Sequence, residues 1–416
     1  MTLIKTTILS LIATFFKILS GLVINKAVSI YIGPSGLAII GQFQNFSQIA
    51  LITAQGAINN GVVKYTAEYK DNHNKLQSLI STSFKISCIT AFITSVIIIS
   101  FSKKISTYIL GNESYQAIFI FFGVSIILFV LNNLFLSILN GMKKINLFIK
   151  INITQSVFSL FFTTALIYFF NLTGALIALA TTQSIVFIFI LLLFIKEKKI
   201  LASLFKEKID TKLLTKLMSF SVMALVSAAL VPGTQFFIRS YISETQGINQ
   251  AGYWQGVWYI STTYLMVITT ALGTYYLPRL SELNDTTALK YEILNGYKIL
   301  IPLVLILGLL IYASRDIIIY ILFSNDFYDM KPLFTWQIIG DIFKISSWIL
   351  AYVMIAKAMT ITYILTELAF NATLILITIT LVNKYGTIGA TYSYAINYFL
   401  YLISMMVVLK YSIKRQ

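Results

Sequence analysis

The chain has 416 residues, of which 58% are hydrophobic and only 11% charged, with a mean hydropathy of +0.83 and a formal net charge of +16. An ordinary soluble domain carries about 25% charged residues, so the composition excludes a water-soluble globule and leaves a polytopic membrane protein. The basic residues sit at the ends of apolar runs, not in the clustered patch of a nucleic-acid binder, and the single cysteine, Cys88, excludes an internal disulfide.

About 20 mostly apolar residues cross a bilayer. In chain order the predicted helices are 8–30, 38–62, 80–100, 115–140, 148–169 and 174–195, then 216–240, 252–276, 293–313, 333–355, 361–382 and 389–409. The expected architecture is all-α, with twelve transmembrane helices in a six-helix lobe at 1–195, a basic cytoplasmic linker at 196–215 and a second six-helix lobe at 216–416. The halves repeat at an offset of about 212 residues: Tyr108-Ile-Leu-Gly-Asn-Glu-Ser-Tyr115 echoes Tyr320-Ile-Leu-Phe-Ser-Asn-Asp-Phe-Tyr328, and Gly174-Ala175 echoes Gly389-Ala390. Internal duplication of a helical membrane protein marks a transporter in which two bundles rock about a site.

Lys and Arg set the orientation. Twenty of the 31 basic residues fall in loops on one face, Lys196 to Lys216 among them, and five (Lys103, Lys104, Arg315, Lys331, Lys384) in loops on the other. Both termini and the linker are therefore expected in the cytoplasm. The outer loops are short, which argues against catalysis by an extramembrane domain. His73 lies in a polar loop, and no His or Cys cluster of metal-ligand type is present in the sequence.

Six basic residues remain inside the spans. A charge at the bilayer centre costs about 2.5–3.5 kcal/mol on insertion scales, so such residues face a cavity or a partner. Lys17 and Lys26 lie on the first helix, and Arg239 lies on its repeat-mate. Together they suit an anionic cargo such as a phosphate or pyrophosphate; the competing reading of Lys26 and Arg239 is snorkelling to headgroups. On the second helix Gln44, Gln48, Gln55 and Asn59 fall within about 60° at 100° per residue, a stripe that suits sugar hydroxyl and acetamido groups or, alternatively, glue between helices. Trp254, Gln255 and Trp258 give the eighth helix an aromatic pair with an amide, fit either to stack on sugars or to sit in an interfacial belt. Asp341 and Lys344 share a face at i, i+3, and Glu367 follows on the next helix; they are expected to form a structural ion pair or to couple transport to an ion.

The runs Ile32-Gly-Pro-Ser-Gly-Leu37, Gly61-Val-Val-Lys-Tyr-Thr-Ala-Glu-Tyr69, Leu277-Pro-Arg-Leu-Ser281, Phe323-Ser-Asn325 and Trp336-Gln-Ile-Ile-Gly-Asp341 through Lys344 resemble the Wzx-type polysaccharide flippases. The likeness runs end to end and is greatest to the branch that carries lipid III of enterobacterial common antigen. It implies the V-shaped fold of the multidrug/oligosaccharidyl-lipid/polysaccharide (MOP) exporters. It also implies a cargo of undecaprenyl-pyrophosphate-linked oligosaccharide, moved from the cytoplasmic to the periplasmic leaflet of a bacterial inner membrane by alternating access. The same resemblance implies a polysaccharide polymerase and a chain-length regulator as partners. The Ile-, Lys-, Asn- and Phe-rich composition departs from the lipid III branch and favours an O-antigen repeat unit as cargo. Two pseudo-symmetric lobes make a complete pathway, so a monomer is expected, and the reading requires no cofactor, no metal and no enzymatic chemistry. The rivals are a cation-coupled drug exporter of the same superfamily, which calls for an acidic cavity, and a membrane polysaccharide polymerase, which calls for a sizeable periplasmic loop or an intramembrane catalytic cluster.

Overall fold

The structure is a computed structural model and describes residues 3–194, 207, 210–283, 285–357 and 359–413. Among the described residues there is no β-strand. The first helices are α1 (Leu3–Tyr31), α2 (Gly33–Ala54), α3 (Asn59–Tyr69), α4 (His73–Ser100), α5 (Ser102–Leu110), α6 (Gln116–Gly141) and α7 (Ile145–Phe194). They are followed by α8 (Thr211–Gln246), α9 (Ile248–Ala271), α10 (Leu277–Glu282), α11 (Thr286–Ala313), α12 (Arg315–Leu322), α13 (Leu333–Ala356), α14 (Thr360–Tyr385) and α15 (Ile388–Ile413).

One expected helix is drawn differently. The single helix expected over 38–62 breaks between α2 and α3, where Gly56 and Ala57 take φ of 62° and 51°; residues with φ > 0 do not continue a right-handed helix. The expected helices 148–169 and 174–195 are the two parts of α7, divided by a kink at Asn171, whose φ of 48° and ψ of −129° are not helical. α9 passes into a π-turn over Leu272–Tyr276 before Pro278 opens α10.

Eight of the described helices carry an 18-residue window apolar enough to cross a membrane, with α7 long enough to count as one 45-residue candidate. α2 and α9 are not among them, because Gln42, Gln44, Asn45 and Gln48 in one, and Asn249, Gln250 and Gln255 in the other, lower their hydropathy. The chain is a multi-pass helical membrane protein.

The chain divides into two compact units, Met1–Ile32 with Ile39–Gly233, and Gly33–Ala38 with Thr234–Gln416. The division falls inside α8, beside Pro232. Most of the basic stretch 196–215 lies outside the described residues. In the first unit α6 packs on α4 and α7, and α1 on α7, around a core that includes Ile58, Leu79, Leu134, Ile138 and Leu217. Phe43 sets its ring edge-on to Phe119 and Phe122, with centroids 5.6 and 5.7 Å away. In the second unit α13 packs on α15, α11 and α9, and α14 on α15, around Leu265, Ile268, Ile345, Ile349 and Met405. Lipid is as apolar as these side chains, so their fit holds the helices together more than any escape from water does.

Candidate functional site

In the first unit several of the candidate side chains meet in a cavity of ≈ 580 Å³. α1 contributes Lys17, Ser20 and Gly21, and α2 contributes Gln44, Ser47 and Gln48. Each set recurs at three- or four-residue steps, which puts it on one helix face. The remaining polar wall comes from α7, with Asn152, Gln155, Ser156, Ser159 and Thr163 before Asn171, and Thr182 and Gln183 after it. No carboxylate lines this cavity among the described residues, and Lys17 is its one lining cation among them.

Of the residues expected to bind an anion, Lys17 reaches the cavity, and Lys26 is not part of its lining. Nine residues of a continuous helix turn the chain through about half a circle, so two lysines at that spacing on α1 face opposite ways. Lys26 is half-buried and has other interactions. The expected amide stripe divides similarly. Gln44 and Gln48 line the cavity, whereas Gln55 and Asn59 sit at the α2–α3 break and bond each other, Asn59 Nδ2 donating to Gln55 Oε1 at 2.8 Å. A continuous helix is what aligned all four on paper, and the break removes the last two.

In the second unit Arg239 is 1% exposed. Its Nε donates to Gln255 Oε1 at 3.1 Å, its terminal nitrogen donates to the same oxygen, and its guanidinium lies 5.6 Å from the Trp254 ring centroid. It does not snorkel; α9 holds it inside the protein. Trp254 is itself buried and packs at 5.7 Å on Trp258.

Asp341 and Lys344 lie on one face of α13, as their spacing requires, but no ion pair within 4.0 Å joins them among the described residues. Each instead has other close partners. Asp341, fully buried, accepts from Ser261 Oγ at 2.6 Å, Tyr264 OH at 2.6 Å and Tyr394 OH at 2.8 Å. Lys344 sits among Trp258, Trp348, Tyr394 and Tyr398, with its Nζ 5.0 to 5.8 Å from the four ring centroids. Such a box stabilises an ammonium through the ring quadrupoles. Glu367 on α14 accepts from Tyr401 OH of α15 at 3.0 Å. The tyrosines are what the sequence reading missed: Tyr264 arrives from α9 and Tyr394, Tyr398 and Tyr401 from α15, and no local spacing announces them, whereas Trp258 is among the residues read on the eighth helix and Trp348 stands one turn from Lys344 on α13 itself. The α7 polar residues had a signal: Asn152, Gln155, Ser156, Ser159 and Thr163 fall on one helix face, within about 100° at 100° per residue.

The sequence pattern of the family described as polysaccharide biosynthesis protein matches residues 3–284. The lipid III flippase of Escherichia coli strain K12 is 29% identical over 404 residues, 96% of this chain and 96% of that one. Among solved structures, a multidrug resistance MATE family transporter of the MOP superfamily in its inward-facing conformation superposes with a TM-score of 0.81 at 15% identity, over 96% of this chain and 95% of that one. A MOP superfamily transporter from Pyrococcus furiosus, described as having a binding pocket of reverse polarity that suggests a different function, superposes at 0.73 with 16% identity, covering 99% and 96%. At these identities the structural likeness is one of fold.

Proposed function

We propose that this chain, which belongs to the polysaccharide biosynthesis protein family, is a flippase for undecaprenyl-pyrophosphate-linked oligosaccharide. It carries an O-antigen repeat unit, or the similar lipid III of enterobacterial common antigen, from the cytoplasmic to the periplasmic leaflet of the inner membrane. The observation that carries this reading is the first unit's cavity: a hydroxyl- and amide-lined space with a lysine and no carboxylate among its described lining residues, inside a multi-pass membrane protein. Hydroxyls and amides both donate and accept hydrogen bonds, as a sugar requires. The lysine offers charge to a phosphate, and the absence of carboxylates from that lining gives a cationic drug no counter-charge there. The 29% identity to a lipid III flippase over nearly the whole of both chains supports the same cargo class.

In this reading Lys17 meets the pyrophosphate and Gln44 and Gln48 meet the glycan. Lys26, which emerges on the other side of α1, and Arg239, which Gln255 holds, come to the pyrophosphate only if the helices rearrange. Trp254, Gln255 and Trp258 serve the glycan path under the same condition. Lobes 1–195 and 216–416 alternate access, with both termini cytoplasmic as the distribution of basic residues indicates. Asp341 and Glu367 are the places where an ion could couple to that cycle. The protein works as a monomer that hands its product to a polymerase and a chain-length regulator. No bond of the cargo is made or broken, so the protein is a transporter and not an enzyme.

The test is the lipid-linked material left in cells from which the protein is removed. The flippase reading expects single units to accumulate on the cytoplasmic leaflet, with none at the surface. Single units appearing at the cell surface would instead indicate a lost polymerase.

A further inference from the structure

Three amides run as a chain behind the wall of the first unit's cavity. Gln155 Nε2 on α7 donates to Asn132 Oδ1 on α6 at 3.0 Å, and Asn132 Nδ2 donates on to Gln183 Oε1, beyond the kink of α7 at Asn171, at 3.5 Å. Gln155 and Gln183 are half-buried and line the cavity, whereas Asn132 is 1% exposed and is not part of the lining. Three other polar residues of that wall are held by their own helix: Asn152, Ser156 and Thr182 each donate to a carbonyl four residues back. The two glutamines are held from a different helix, and both by the same residue.

A long side chain that faces a polar cavity unrestrained must be ordered when a ligand arrives, and each such ordering weakens binding. Asn132 orders both glutamines in advance. An amide oxygen only accepts and an amide nitrogen only donates, so the chain also fixes which end each glutamine shows. Gln155 spends its nitrogen on Asn132 and Gln183 its oxygen, which leaves the oxygen of the first and the nitrogen of the second to the cavity. An asparagine that merely joined two membrane helices would need one partner. Asn132 has two, one from each part of α7, and both are wall residues. Resting on the flippase reading, we infer that Asn132 is a positioning residue for transport: it does not meet the cargo, and it acts by holding Gln155 and Gln183 in the rotamer and polarity that the cargo meets.

The experiment follows the initial rate at which proteoliposomes holding the full chain move labelled undecaprenyl-pyrophosphate oligosaccharide, over a range of label densities. It compares wild type, Asn132→Leu, the double variant Gln155→Leu/Gln183→Leu, and the triple variant. Leucine has the branching of asparagine and suits a membrane span; if Asn132→Leu yields no folded protein, Asn132→Ala, which only removes atoms, is read in its place. Loss of preorganisation in two side chains predicts that Asn132→Leu raises the half-saturating density about fivefold or more, with the maximal rate within about twofold of wild type. The double variant raises the half-saturating density at least as far. Adding Asn132→Leu to it changes that density by less than about twofold, because a residue that acts through the glutamines has nothing left to act on. A half-saturating density unchanged by Asn132→Leu or by the double variant, a loss confined to the maximal rate, or the same fivefold shift without the glutamines would overturn the inference and leave the flippase standing. A wild type that moves no label would overturn the flippase reading, and this inference with it.

Discussion

A carboxyl group inside a bundle of membrane helices needs donors, and Asp341 finds three hydroxyls on α9 and α15. The bond pattern ties α13 to both neighbours. Asp341→Leu strands three buried hydroxyls and is expected to cost about 3 kcal/mol or more, seen as a clear fall in melting temperature of the purified protein. Asp341→Asn, which keeps an acceptor oxygen, is expected to lose less than half as much. A melting temperature unchanged by Asp341→Leu would show that the network holds nothing together. The i, i+3 spacing of Asp341 and Lys344 made their shared face legible in the sequence, but not their separate partners. Apart from Trp348, the hydroxyls and rings that take up the two charges come from residues 50 to 86 positions away, Ser261, Tyr264, Trp258 and Tyr394 among them.

At the scale of single elements the internal repeat has a structural cause. Gly174 and Gly389, repeat-mates in sequence, each follow by three residues a position of positive φ, Asn171 at 48° and Gly386 at 67°. Each also lies against a carbonyl eight residues earlier: a Cβ built on Gly174 would sit 1.9 Å from Leu166 O, and one on Gly389 would sit 2.2 Å from Leu381 O. Backbone cannot yield as a side-chain tip can, so the same tight helix-to-helix passage in both units demands glycine. Gly174→Ala and Gly389→Ala are each expected to reduce folded yield sharply. Gly233→Ala, with nothing within 4 Å of the added methyl, is expected to be neutral or to stabilise by up to about 1 kcal/mol. Thermal melts of the three variants check the contrast. The repeat was readable in the sequence because these glycines and the Tyr-Ile-Leu runs recur. The α2–α3 break was not, since Gly56 alone does not stop a helix.

A second element-scale expectation concerns the entry to α11. Asp285 accepts from the Thr287 hydroxyl and from the Ala288 backbone N–H, and these bonds hold its carboxyl below the usual carboxylate range. A depressed carboxylate contributes stability above its unfolded value, near 4, and loses that contribution as pH falls through its lowered folded value. Asp285→Ala is therefore expected to lower the melting temperature at neutral pH, with the gap to wild type closing under acid. A gap that stays constant with pH would mean that the charged cap contributes nothing.

For the whole molecule, apolar length and the helical class followed from composition and periodicity, because a bilayer demands long apolar segments whose backbone bonds are satisfied internally. The repeat extends to the short elements between spans. α5 and α12 are short helices, each followed by a 3₁₀ turn and then a long span, and their matching tyrosines Tyr108 and Tyr320 are 78% and 74% exposed. Such exposed aromatics suit the headgroup region. The polar cavity was only half legible, since a helix wheel shows which residues share a face but not which faces meet. The expected orientation is checked by cysteine labelling in a Cys88→Ser background. Asp326→Cys is expected to react with a membrane-impermeant maleimide in cells with a permeabilised outer membrane, and Lys143→Cys only after the inner membrane is opened. The reverse pattern would invert the topology.

The most direct measurement is movement of labelled undecaprenyl-pyrophosphate oligosaccharide across proteoliposomes that hold the purified chain. The account predicts that the wild type equilibrates the label between leaflets, and that Lys17→Ala, eluting and melting as wild type does, slows the initial rate by about tenfold or more, as loss of a charged hydrogen bond to phosphate implies. A wild type that moves no label, with a proton gradient, a sodium gradient or neither, would contradict it.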